Sequence, residues 1–111
     1  MSGVFEDRER NYEAKWAHDE DLRFRTIARR NKLLGLWAAD RFGLAGAAAE
    51  SYASRLLSLE VRGASDRDIA QKLHEDFAER GIAISDHAIY RQMEQLLAEA
   101  GEQVTHETKK T

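Results

Sequence analysis

The side chains here best suited to catalysis or metal binding are four histidines, 20 carboxylates and a few serines. His18, His74, His87 and His106 are scattered, and none has a second histidine three or four residues on, the spacing a helical zinc pair needs. His74 and the neighbouring Asp86 and His87 are the one such group that folding could bring together. Cysteine is absent, which removes thiolate nucleophiles, disulfides and cysteine-based zinc or iron–sulfur sites, and fits a reducing cytoplasm. The seven glycines stand singly, so no loop cradles phosphate, and no serine has a nucleophile-elbow context. The carboxylates are interspersed with 17 basic residues, and apolar surroundings single out no pair. These residues predict no enzyme, no metal site and no cofactor, which leaves binding.

Three patterns are candidates for binding. Phe5, Tyr12 and Trp16 fall at i, i+7 and i+11, on one face of a continuous helix, within the charged run FEDRERNYEAKWAHDED. Aromatic side chains so spaced suit docking into a groove on another protein, while the competing expectation folds Tyr12 and Trp16 back onto the body. The basic run Arg23, Arg25, Arg29, Arg30 and Lys32 offers a phosphate patch. The preferred expectation is a solvated helix face paired with the preceding acidic cluster, through i, i+4 partners such as Asp21 and Arg25. The stretch SDRDIAQKLHEDFAERGIAISDHAIYRQMEQLL has the flavour of a helix-turn-helix. However, His74 stands where that motif places its glycine, and the second helix carries Asp86, Glu94 and Glu99 against Arg91, a surface that repels phosphate. No DNA is expected. A small-ligand pocket near Tyr52, His74 and Tyr90 is the remaining possibility.

The elements that must position these residues are all helical. With no proline and a third of the chain charged, long solvated helices can run unbroken. A core helix starts near Asp21, with Asp19, Glu20 and Asp21 placed to complement its macrodipole. Ile27, Leu34 and Ala38 form its buried face, Phe24 and Trp37 lie at the edges, and Gly43 stops it. A second helix, from Ala47 to Val61, carries Ala49, Tyr52, Ala53, Leu56 and Leu59 or Glu60 at three- and four-residue steps, and its alanines permit close approach. Ser65 caps a third, whose Ile69, Leu73 and Phe77 recur until Gly81. Ile82 to Ile84 plugs the end of the core. Ser85 caps a fourth, carrying Ile89, Met93, Leu96, Leu97 and Ala100 to a stop at Gly101.

The expected architecture is all-α, a compact four-helix bundle with an N-terminal arm that is helical or partly disordered. It divides into an arm (1–20), the bundle (21–101) and a loose polar tail (102–111). No apolar run approaches the ~20 residues needed to span a bilayer, and the N-terminus is charged too early for a secretory signal. Membrane insertion is not expected.

FEDRERNYEAKWAHDEDL followed by ARRNKLLGLWAAD resembles the zeta subunit family, small inhibitors of the F-type ATP synthase in alphaproteobacteria. The DIAQKL and MEQLL helices extend the resemblance over nearly the whole chain. It implies a four-helix bundle, monomeric when free, cytoplasmic and peripheral to the inner membrane through the synthase. It further implies an arm that enters the catalytic head, between alpha and beta subunits near the central stalk, and blocks hydrolysis more than synthesis. On that resemblance Phe5, Tyr12 and Trp16 supply apolar grip. Arg8, Arg10 and Lys15 pair with acidic groups of the partner, and Glu9 and Glu13 keep the arm helical. The chain departs from the family at Val61-Arg62-Gly63-Ala64, where many members have a more acidic, proline-containing link. Inhibitory strength varies across the family, so the alternative is a helical regulatory module that binds nucleotide or nucleic acid with little ATPase inhibition.

Overall fold

Serine and glycine punctuate the chain where the backbone turns. The computed structural model describes residues 20–110, with side chains to residue 108, as four helices: α1 (Glu20–Arg41), α2 (Gly46–Val61), α3 (Asp66–Glu79) and α4 (Asp86–Lys110). At the end of α1, Gly43 takes a left-handed φ of 80° that side chains resist. This lets Gly43 N donate to Asp40 O at 3.0 Å and Leu44 N to Ala39 O at 2.9 Å, satisfying two carbonyls the helix leaves open. The same paired bonds close α2 and α3. Each stop is followed by an apolar residue, Leu44, Ala64 or Ile82, that packs on the core.

The helix starts are equally local. Ser65 Oγ accepts from Asp68 N at 3.2 Å while Ser65 N donates to Asp68 Oδ2 at 3.0 Å, a reciprocal capping box. Ser85 Oγ accepts from Ala88 N at 3.0 Å.

The core takes Leu34, Ala38 and Ala39 from α1, Tyr52 and Leu56 from α2, Ile69, Leu73 and Phe77 from α3, and Ile89, Met93 and Leu96 from α4. Phe42 stands edge-on to both Tyr52 and Phe77, at centroid distances of 5.2 and 4.8 Å. Ile82 and Ile84 pack against this core, as the plug expected there. α1 is the central element, packed along α2 and α4, whereas α2 and α3 touch only lightly. The α1–α2 approach is set at Gly35, where an added Cβ would lie 2.6 Å from the Ala53 Cα.

Two expectations need correction. The chain neither stops its last helix at Gly101 nor trails off as a loose tail. α4 continues to Lys110, with Ala100, Gly101 and Val104 buried. A mid-helix glycine costs about 1 kcal/mol, which burial of Val104 offsets with roughly 1.5 kcal/mol or more. Phe24, placed at the edge of the buried face, is instead 67% exposed.

Candidate functional site

The residues assigned to partner binding, Phe5, Arg8, Glu9, Arg10, Tyr12, Glu13, Lys15 and Trp16, lie outside the described residues, as does His18. What the structure describes is the base from which they lead off and the surfaces beside it.

That base is the start of α1. Glu20 and Asp21 lie exposed in its first turn, and Phe24 projects into solvent one turn on. The basic run forms the solvated, locally paired face expected of it only in part. Arg25 does approach Asp21, at 3.9 Å, but the stronger partners come from distant sequence. Arg29 Nη2 donates to both Glu107 oxygens, at 2.8 and 3.0 Å, and Arg29 Nη1 donates to Gln103 Oε1 at 2.8 Å. Arg30 is buried, donating to Asn31 Oδ1 at 2.8 Å and to Asp66 Oδ1 at 2.6 Å. A buried guanidinium requires such partners, because an unpaired charge in the interior is prohibitively costly. Arg23 and Lys32 remain exposed. The expectation holds for Asp21 and Arg25 and fails for Arg29 and Arg30, because i, i+4 spacing identifies local partners only and the partner on α4 lies beyond Gly101, where the sequence predicts a loose tail.

Glu60, at the end of α2, joins the Arg30 cluster. Burial pushes its carboxyl above the usual range, against the opposing pull of the Arg30 charge and of Asn31. Among the described residues, Asn31 Nδ2 is buried and makes no hydrogen bond. This polar cluster, with Arg30 and Asn31 buried, Glu60 half-buried and Asp66 exposed, sits where α1 meets the α2–α3 link and was not legible in the sequence.

The pocket anticipated near Tyr52, His74 and Tyr90 is divided in two. Tyr52 lines a cleft of about 350 Å³ between α2 and α3. Its floor is Leu56 and Leu59, and Arg55, Arg62, Lys72 and Arg80 surround it against Asp76 and Glu79. The Tyr52 hydroxyl donates to Asp76 Oδ2 at 2.7 Å, and Lys72 Nζ lies 3.1 Å from Asp76 Oδ1. Burial and then the Asp76 bond push the Tyr52 phenol far above its ordinary range, so it stays protonated. Arg80 stacks over Phe42 at 4.1 Å. Among the described residues, Arg55 and Arg62 have no carboxylate within ion-pair distance, which leaves the cleft positive in a chain of net charge −3. His74 and Tyr90 line a separate, smaller hollow of about 230 Å³ between α3 and α4. There His74 Nδ1 meets Asp86 Oδ1 at 3.1 Å, as their positions in sequence had suggested.

No group of three or more histidine and carboxylate side chains suited to a metal forms among the described residues. None of the described helices is long and apolar enough to cross a membrane. A comparison with curated proteins finds no significant match. The sequence profile of the ATPase inhibitor subunit zeta family, by contrast, matches residues 1–103, taking in both the arm and the bundle. A match over that length shows the family: the chain belongs to the ATPase inhibitor subunit zeta family.

Proposed function

We propose that this protein binds the catalytic head of the F-type ATP synthase and blocks ATP hydrolysis through its N-terminal arm. The observation that carries this is the extent of the family match, which begins at residue 1 and so includes the arm as well as the bundle. In this proposal the arm lodges at an interface of alpha and beta subunits beside the central stalk. There Phe5, Tyr12 and Trp16 supply apolar contact area at low entropic cost. Arg8, Arg10 and Lys15 meet acidic groups of the partner, while Glu9 and Glu13 support helical structure in the bound arm. The bundle carries the arm and contributes no reacting group. Association with the synthase would hold the protein at the cytoplasmic face of the membrane without inserting it.

The test is ATP hydrolysis by the purified synthase of the host, titrated with the full-length protein and with a form lacking residues 1–19. Inhibition by the full-length form alone supports the proposal. Equal inhibition by both forms places the activity in the bundle and overturns the role of the arm.

The positive α2–α3 cleft favours a second reading, a regulatory module that takes a nucleotide. Its test is amide chemical-shift change on adding ADP or ATP. Shifts confined to Arg55, Arg62, Lys72 and Arg80 and their neighbours would support it, and an unchanged spectrum would dispose of it.

A further inference from the structure

We propose that Arg29 and Glu107 are positioning residues that lock the last turns of α4 against the first turns of α1, and so set where residues 1–19 are presented to a partner. This rests on the arm reading above.

Two turns of each helix form the contact. On α4, Gln103 and Glu107 stand one turn apart; on α1, Arg25 and Arg29 do the same, so the pairs match as rungs. Arg29 uses both terminal nitrogens, one on Gln103 at 2.8 Å and one on the two Glu107 oxygens at 2.8 and 3.0 Å. Arg25 adds a longer contact to Glu107 at 3.9 Å and a hydrogen bond to Thr108 Oγ1 at 3.4 Å. Beneath the rungs, Val104 and Ala100 of α4 and Thr26 of α1 are essentially inaccessible to solvent.

An isolated ion pair of this exposure contributes little, because solvent screens it and two long side chains must be ordered. The forked geometry differs. One guanidinium spans two side chains on successive turns, so it fixes the rotation and sliding of α4 along α1 as well as their separation. Past Leu96, α4 goes on burying Ala100, Gly101 and Val104. Its last core residue in the main cluster is Leu96, and the turns beyond Ala100 run along the half of α1 that leads to the arm. A device that steadies this base lowers the entropic cost of presenting the arm.

The experiment uses the full chain. Glu107→Ala with Gln103→Ala removes the rungs, and the exchange Arg29→Glu with Glu107→Arg restores a pair of opposite polarity. Half-inhibition of ATP hydrolysis is read beside hydrogen exchange of amides 20–30 and thermal unfolding. The expected result is an increase of about fivefold to tenfold in the half-inhibitory concentration of the double-alanine form. Exchange at residues 20–30 should be faster in it, the bundle should stay folded, and the charge exchange should recover most of the loss. Unchanged inhibition and exchange in the double-alanine form overturn the proposal. If that form does not fold, the charge-exchanged protein decides: folded but without recovered inhibition, it overturns the proposal equally. Inhibition that survives loss of residues 1–19 overturns the arm reading instead, and hydrogen exchange alone then decides whether the contact steadies α1.

Discussion

The Tyr52 hydroxyl and the Asp76 carboxylate, 24 residues apart in sequence, meet at 2.7 Å where α2 faces α3. Both residues are about 5% exposed, so neither has water as a ready substitute partner. Tyr52→Phe keeps the ring against Phe42 and strips the bond from Asp76, leaving Lys72 as its side-chain partner. The variant should lose about 1–3 kcal/mol of unfolding free energy, the usual cost of orphaning a buried acceptor. Urea denaturation of both proteins measures it.

Gly35→Ala tests the α1–α2 crossing. Alanine gains about 1 kcal/mol of helix propensity over glycine, which alone would stabilise α1. The added methyl would meet the Ala53 Cα at 2.6 Å, and backbone cannot swing aside as a side chain can. Overpacking of this kind costs about 1–3 kcal/mol, so the net effect should be destabilising. A raised melting temperature would show that the two helices separate without penalty.

Glu60→Gln probes the polar cluster around Arg30 by its pH dependence. The folded-state pKa of Glu60 lies above its unfolded value, so this group favours folding only at low pH and loses that contribution as pH rises through the folded pKa. Glutamine removes the charge and with it the desolvation penalty. The variant should therefore exceed the wild type in stability at neutral pH, and the gap should close as the solution is acidified. Denaturant midpoints at neutral and acidic pH decide the sign.

The α3 capping box gives the opposite pH signature. The backbone N–H and side chain of Ser65 hold the Asp68 carboxyl below the usual range. Its contribution is present above the unfolded pKa and fades as pH falls through the folded one. Ser65→Ala should cost about 1 kcal/mol at neutral pH, with the loss smaller in acid once Asp68 no longer answers the cap. Chemical denaturation across the acidic range tests this.

Tyr12→Ala combined with Trp16→Ala addresses the proposed mechanism directly. ATPase inhibition should be abolished while the far-ultraviolet circular dichroism of the bundle and its thermal unfolding are retained. Full inhibition by this variant would remove the two aromatic residues from the mechanism.

Much of the body could be read directly from the chain. Ser65, Ser85, Gly43, Gly63 and Gly81 mark helix ends through hydrogen bonds and dihedral angles that span only a few residues. The four-residue steps of Ile69, Leu73 and Phe77 identify a buried face for the same reason. The family resemblance was legible too, because FEDRERNYEAKWAHDEDL and ARRNKLLGLWAAD are distinctive strings, and the family match confirms it. Gly101 misled because a glycine after an apolar stripe carries the same signal whether it ends a helix or lies beneath a neighbour. Its burial against the rest of the fold is what separates the two cases.

The sequence by itself determined four helices, the serine caps of α3 and α4, the stops of α1, α2 and α3, and the family to which the chain belongs. Tertiary structure alone decided which charges are buried and with whom they pair. Arg29 finds Glu107 at 78 residues' separation, Arg30 finds Asp66 at 36, and Tyr52 finds Asp76 at 24. Local periodicity reports which way a side chain points from its own helix. Whether an arginine pointing that way meets water or a carboxylate depends on where another helix lies, and that is fixed by packing of the whole core.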